Sequence, residues 1–79
     1  MFLEIVTPEK TLYSDEINYV QVPGSLGKFG VLKNHAPLIS TLGKGIIKIK
    51  EPDDTERIFD IEGGVIEVLK NNIIILLKL

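Results

Sequence analysis

The apolar residues of this chain recur with a period near two, in runs too short for helices. Ile17–Val22 (INYVQV) and Gly45–Lys50 (GIIKIK) alternate or nearly so. Arg57–Glu62 (RIFDIE) sets Ile58 opposite Phe59 and Asp60 opposite Ile61, while Val65–Leu69 (VIEVL) and Ile73–Leu77 (IIILL) are rich in β-formers. Turn residues punctuate the runs at Thr7-Pro8, Pro23-Gly24, Gly43-Lys44-Gly45, Pro52-Asp53-Asp54, Gly63-Gly64 and Asn71-Asn72. Successive side chains of a strand face opposite ways, so this pattern predicts many short strands, and their close spacing predicts an all-β sandwich of two mostly antiparallel sheets. Two hairpins are expected, one turning at Pro52-Asp53-Asp54 and one at Asn71-Asn72, where Asn tolerates positive φ. The expected core is Leu3, Ile5, Val20, Val22, Val31, Leu38, Ile47, Ile49, Phe59, Ile61, Val65, Val68, Ile73 and Ile75.

With 79 residues, the length predicts one domain over 1–79. A domain of that size buries only about 60% of the surface its unfolded chain exposes, and small domains compensate with disulfides, metals or partners. There is no Cys and a single His, so neither a disulfide nor a metal site is expected, which leaves a partner. A net charge of −2 with interspersed signs shows no basic stripe, which argues against nucleic acid. The opening MFLEIVTPEK has Glu4 in its apolar run and no basic leader, so no signal peptide is expected. The longest apolar run, Ile73–Leu77, is far short of the ~20 residues of a spanning helix, so no direct membrane insertion is expected. The default compartment is the cytoplasm.

One stretch invites a catalytic reading. GSLGKFGVLKNHAPLIS, Gly24 to Ser40, holds Gly24, Gly27 and Gly30, the only histidine, and Pro37. Its glycines are spaced Gly-x-x-Gly-x-x-Gly, unlike a dinucleotide fingerprint, and it lacks the Gly-Lys-Ser/Thr ending of a P-loop. Phosphate loops also feed a helix N-terminus, whereas Gly30 and Pro37 interrupt any helix here. The glycines therefore read as turn and bulge geometry. His35 would need a nucleophile within reach, and Ser14, Ser25 and Ser40 are the candidates, but none sits in a nucleophile elbow. Pro37 holds Ala36 extended, so NHAPL reads as a rigid turn that presents His35 and launches a strand. Asp15-Glu16 and Asp53-Asp54 lack the spaced oxygens of a calcium loop and read as solvated turns. Five aromatics without Trp make a poor sugar platform, and Tyr13 and Tyr19 suit core or interface equally. No catalytic residue and no cofactor site is visible, and a chain like this works by contact. A hydrolase built on His35 and a small ligand- or protein-binding β-module remain the alternatives.

The segments LEIVTPEKTLYS, VQVPGSLGKFGVLKNHAPLIST, GIIKIK and FDIEGGVIEVLKNNIIIL together resemble the N-terminal β-sandwich of the epsilon subunit of F-type ATP synthases, called delta in mitochondria. The specific elements are Pro23–Leu32, the HAPL turn His35–Leu38 and Gly63–Val68, in order over essentially the whole chain. The resemblance implies a rotor subunit that performs no bond chemistry. It clasps the gamma subunit and rests on the ring of c subunits, as a peripheral component at the cytoplasmic face of the bacterial plasma membrane. Carried over residue by residue, the ring contact is Gly24, Ser25, Leu26, Gly27, Lys28, Phe29 and Gly30, with Lys28 expected at the loop tip. Family positions facing gamma match Thr7, His35 and Ser40. Lys28 departs from the acidic residues found at this position elsewhere in the family. The sequence stops at Leu79, before the C-terminal helical hairpin of longer members would begin, so inhibition by such a hairpin is not expected of the chain as given.

The last strand carries one more expectation. A strand wet on one face alternates apolar and polar residues, and Ile73–Leu77 does not. In the family's phase Ile73, Ile75 and Leu77 point inward, which leaves Ile74 and Leu76 as a partly exposed patch that gamma would cover.

Overall fold

A computed structural model describes residues 1–78, and within them every regular element is a strand. Nine occur: β1 (Phe2–Val6), β2 (Thr11–Glu16), β3 (Tyr19–Gly24), β4 (Gly27–Val31), β5 (Leu38–Leu42), β6 (Gly45–Lys50), β7 (Glu56–Ile61), β8 (Gly64–Leu69) and β9 (Asn72–Leu77). The hydrogen-bonded path runs β2-β1-β9-β8-β5-β3-β6-β7, with β4 on the free side of β3. All pairs are antiparallel except β1 with β9. One continuous curled sheet thus supplies both layers of the sandwich. The layers β2-β1-β9-β8-β5 and β4-β3-β6-β7 are joined through a single bridge pair, Gly24 with Leu42.

Both layers close on one apolar cluster. Leu3, Ile5, Leu42, Ile66, Val68, Ile73, Ile75 and Leu77 come from the first, and Val20, Val22, Val31, Ile47, Ile49 and Ile61 from the second. Ile17, in the β2–β3 connection, completes it. Burial alternates along β6, β8 and β9, as a period of two demands. Val65 corrects the expected core: it is 39% exposed, and its neighbour Ile66 is buried in its place. Val65 and Val68 are three residues apart and cannot share a face of a regular strand. Leu38 and Phe59 are half-buried against the cluster rather than within it.

The hairpin turns follow local chemistry. Leu69 pairs with Asn72, so the β8–β9 loop is Lys70-Asn71, one residue before the expected turn. Both residues take positive φ, 49° and 63°, as a primed two-residue turn requires. Between β6 and β7, Asp54 N–H donates to Glu51 O (2.9 Å), and Thr55 N–H donates to Asp53 Oδ1 (3.0 Å). The bonds from Thr55 hold the Asp53 carboxyl below the usual carboxylate range.

The outer strands of the path, β2 and β7, meet through side chains. The Tyr13 ring stands edge-on to Phe59, with centroids 6.0 Å apart. Its hydroxyl donates to Glu51 Oε2 (2.6 Å), which also accepts from Arg57 Nε (3.3 Å). Burial, and then the Glu51 carboxylate, push the Tyr13 hydroxyl well above its ordinary value. A Tyr whose folded pKa is raised contributes stability that is complete below its unfolded pKa of about 10 and is lost as pH rises above it. Alkaline unfolding followed by circular dichroism should therefore steepen above about pH 10. Tyr13→Phe should flatten that slope, and an unchanged slope would remove Tyr13 from the linkage.

Candidate functional site

The residues expected at the ring cluster at one end of the sandwich. Gly24 pairs with Gly27, which leaves Ser25 and Leu26 as a two-residue turn. Gly27 has φ +136°, a conformation that L side chains rarely adopt. The turn is tied to β5 by Ser25 N–H to Thr41 O (3.0 Å) and by Thr41 Oγ1 to Ser25 Oγ (2.8 Å). The tip is therefore Ser25-Leu26, with Leu26 fully exposed. Lys28 was expected there, but it lies one residue inside β4, opposite Pro23. Ser25, Leu26, Gly27 and Lys28 are open to solvent, whereas Gly24, Phe29 and Gly30 are half-buried. Phe29 packs on the core, and the Tyr19 ring covers Gly30 so closely that a Cβ would lie 2.6 Å from its Cε1. Phe29 and Gly30 thus build the hairpin, while the other four exposed positions present it.

The positions matching gamma-facing sites spread over the length of the first layer. Thr7 follows β1 at the end shared with the Ser25-Leu26 turn. Its hydroxyl accepts N–H groups of Glu9 (3.2 Å) and Lys10 (3.1 Å) and so closes its own turn. His35 lies at the opposite end, half-buried in the Leu32–His35 turn, with Nδ1 2.7 Å from the Ala36 carbonyl oxygen. That turn is locked to the β8–β9 hairpin, because Asn34 N–H donates to Asn71 Oδ1 (2.7 Å) and Asn71 Nδ2 to Asn34 Oδ1 (3.2 Å). Ser40, expected to face gamma, is half-buried in β5 in register with the buried Ile66, Ile75 and Ile5, so it turns to the core side of the layer, and its Oγ donates to Thr41 O (3.2 Å). The structure does not bring Thr7, His35 and Ser40 together as a cluster. It brings no serine hydroxyl to the His35 ring.

Between those ends lies an outward apolar face, which the last strand's lack of alternation predicts only in part. Register aligns Thr41, Val65, Leu76 and Val6 in one row, and Ile39, Glu67, Ile74 and Glu4 in the next. Ile74 and Leu76 are 42% and 48% exposed, matching the expectation for the free chain. Ile39 and Val65 extend the patch across β5 and β8. Ile39 drew no attention in the sequence because LISTL reads as an ordinary strand until β5 is placed beside β8.

The sequence profile of the family described as ATP synthase, Delta/Epsilon chain, beta-sandwich domain matches residues 1–78. The chain is 46% identical over 74 residues to the ATP synthase epsilon chain of Leptospira borgpetersenii, covering 94% of this chain and 58% of that one. It is 44% identical over 68 residues to the ATP synthase epsilon chain of Caulobacter vibrioides, covering 86% and 78%. The chain therefore spans less than two thirds of the Leptospira relative's length. Its fold superposes on a chain of the Euglena gracilis mitochondrial ATP synthase (OSCP/F1/c-ring) with TM-score 0.89 at 19% identity, over 95% of this chain and 48% of that one. A chain of the Tetrahymena thermophila mitochondrial ATP synthase central stalk and c-ring gives 0.80 at 20%, over 98% and 62%.

Proposed function

We propose that this chain, which belongs to the ATP synthase delta/epsilon family through its β-sandwich domain, is a non-catalytic central-stalk subunit that links gamma to the c ring. The observation that carries the reading is the family match over residues 1–78, together with relatives such as the Leptospira borgpetersenii ATP synthase epsilon chain at 46% identity. In this role the sandwich transmits torque by shape and contact. A rigid two-layer body with one shared core suits that task better than a hinged one, because close-packed interiors transmit strain. The Ser25-Leu26 hairpin, with Gly24, Gly27 and Lys28 around it and Phe29 and Gly30 beneath, meets the ring. The face bearing Ile74 and Leu76, flanked by Thr7 at one end and His35 at the other, meets gamma, whereas Ser40 stands on the other side of β5 from this face. The complex holds the chain at the cytoplasmic face of a bacterial plasma membrane, peripheral to the bilayer.

Co-purification with gamma tests the reading. Tagged chain expressed with the gamma subunit of its own synthase should retain gamma through gel filtration, and a chain that elutes alone would sink the proposal. The face has its own test. Ile74→Thr with Leu76→Thr places β-branched, strand-favouring side chains at both half-exposed positions, so the free domain should lose no more than about 1 kcal/mol. Affinity for gamma should fall by about tenfold or more, because apolar contact is what these side chains offer a partner. If the double variant unfolds the free domain, these residues belong to its own core.

A further inference from the structure

The hollow beside the Ser25-Leu26 turn carries more than the family match assigns. It encloses about 660 Å³ between the β3–β4 hairpin and β6–β7, on the second layer's outer face. Pro23, Ile46 and Ile58 give it an apolar floor, and Lys28, Lys44 and Lys48 stand around it. No acidic side chain lines it, although the chain has 11 acids against 9 bases. Lys48 reaches Glu56 at 3.9 Å. Lys28 and Lys44 enter no ion pair among the described residues. Their spacing is fixed in advance. Lys28 pairs with Pro23 across the hairpin, and Lys44 follows Gly43, whose N–H donates to the Pro23 carbonyl (2.8 Å).

The geometry points to a carboxylate-bearing protein loop as the occupant, supplied by the ring surface, so that this chain's ring contact rests on lysine–carboxylate pairs; this deepens the rotor reading and depends on it. Two free ammonium groups over an apolar floor suit an Asp or Glu side chain whose neighbour is apolar. An anionic bilayer fits less well. Glu56 reaches Lys48, and Asp60 lies across from Ile46, so both acids sit beside the hollow. They repel an extended sheet of negative headgroups but leave room for one carboxylate entering between Lys28 and Lys44. Charges placed this way set register and encounter rate more than gross affinity.

The test uses the chain in complex with gamma, offered to the detergent-solubilised c ring of the same synthase. Wild type should bind the ring with an affinity that falls as salt rises. Lys28→Glu with Lys44→Glu should bind the ring about tenfold more weakly at low salt, since opposed like charges are costly, and should hold gamma as before. Both lysines are exposed, so the variant's thermal midpoint should match wild type. A water-soluble carbodiimide should join Lys28 or Lys44 to a ring carboxyl. The activated carboxyl is attacked by the deprotonated amine, an amide forms and the urea leaves, and Lys→Gln at both sites should abolish the adduct. Equal ring affinity for wild type and the charge-reversed variant, with no adduct, overturns the inference while the rotor reading stands. Wild type binding neither gamma nor ring overturns the rotor reading itself. Loss of binding to phosphatidylglycerol vesicles with ring affinity unchanged also overturns the inference, and assigns the hollow to lipid.

Discussion

Ile75→Ala should lower the thermal midpoint of the free domain by about 15 °C or more, enough to leave it partly unfolded at 37 °C. Ile75 is fully buried at the centre of β9, directly between Ile5 of β1 and Ile66 of β8, which are equally buried. Truncating such a side chain removes its transfer free energy and leaves a cavity, at a combined cost of about 2–5 kcal/mol. A domain of this length has a total stability of about 4–12 kcal/mol, so the loss is a large share of the whole. The site has little freedom to collapse, because both flanking residues are β-strand isoleucines held by ladder hydrogen bonds. Ile74→Ala, one position away, should cost less than half as much, since that side chain is already 42% exposed. Thermal unfolding of the two variants side by side decides the strand's phase. If Ile74→Ala proves the more damaging, β9 faces the other way and the outward apolar face does not exist.

The phase of β6 is legible in the sequence, because GIIKIK sets Lys48 and Lys50 on the face opposite Ile47 and Ile49, whereas NIIILL declares no face of its own and takes its expected phase from the resemblance to the family. Where both faces are apolar, the pattern is silent. In VIEVL the polar residue is Glu67, and period two from Glu67 puts Val65 outward beside it and Ile66 with Val68 inward, as observed. The expected core instead paired Val65 with Val68, which breaks the alternation of a regular strand. Two strands were invisible for a different reason. β2, TLYSDE, shows almost no buried face, and β4, GKFGV, is so glycine-rich that it reads as a turn. Both lie at margins of the sheet, where hydrogen bonding to one neighbour, rather than burial, defines the strand. The same limit applies to the site. Lys28, Lys44 and Lys48 come from separate segments, and only the junction of β3 with β5 sets the first two around one hollow. Likewise the Asn34–Asn71 exchange, 37 residues apart in sequence, is what holds the His35 turn against the first layer.

Gly64→Ala should destabilise the domain about as severely as a core truncation, although it adds one methyl group and creates no cavity. In the sequence Gly63-Gly64 reads as punctuation between strands, with no hint that the two glycines differ. In the structure Gly64 opens β8 and pairs with Leu77 on one side and Leu42 on the other. A Cβ there would overlap the Leu76 carbonyl oxygen and lie 3.2 Å from Leu77 Cα and 3.3 Å from the Leu76 carbonyl carbon. All three obstacles are backbone atoms of β9, so no rotamer change relieves the clash. β9 must shift, and it carries Ile73, Ile75 and Leu77 into the core. Overpacking that moves backbone costs about 1–3 kcal/mol and occasionally more. At about 4–8 °C per kcal/mol for a domain of this size, the midpoint should fall by about 10–20 °C. Gly43→Ala is the matched control, since the nearest atom to its added methyl would be the Pro23 carbonyl oxygen at 3.9 Å. That variant should stay within about 1 kcal/mol of wild type, with reduced freedom of the unfolded chain acting in its favour. The shift in β9 would also displace Ile74 and Leu76, so any Gly64→Ala protein that folds should bind gamma more weakly than Gly43→Ala does. Equal midpoints for the two variants would show that β8 and β9 approach less closely than the register requires.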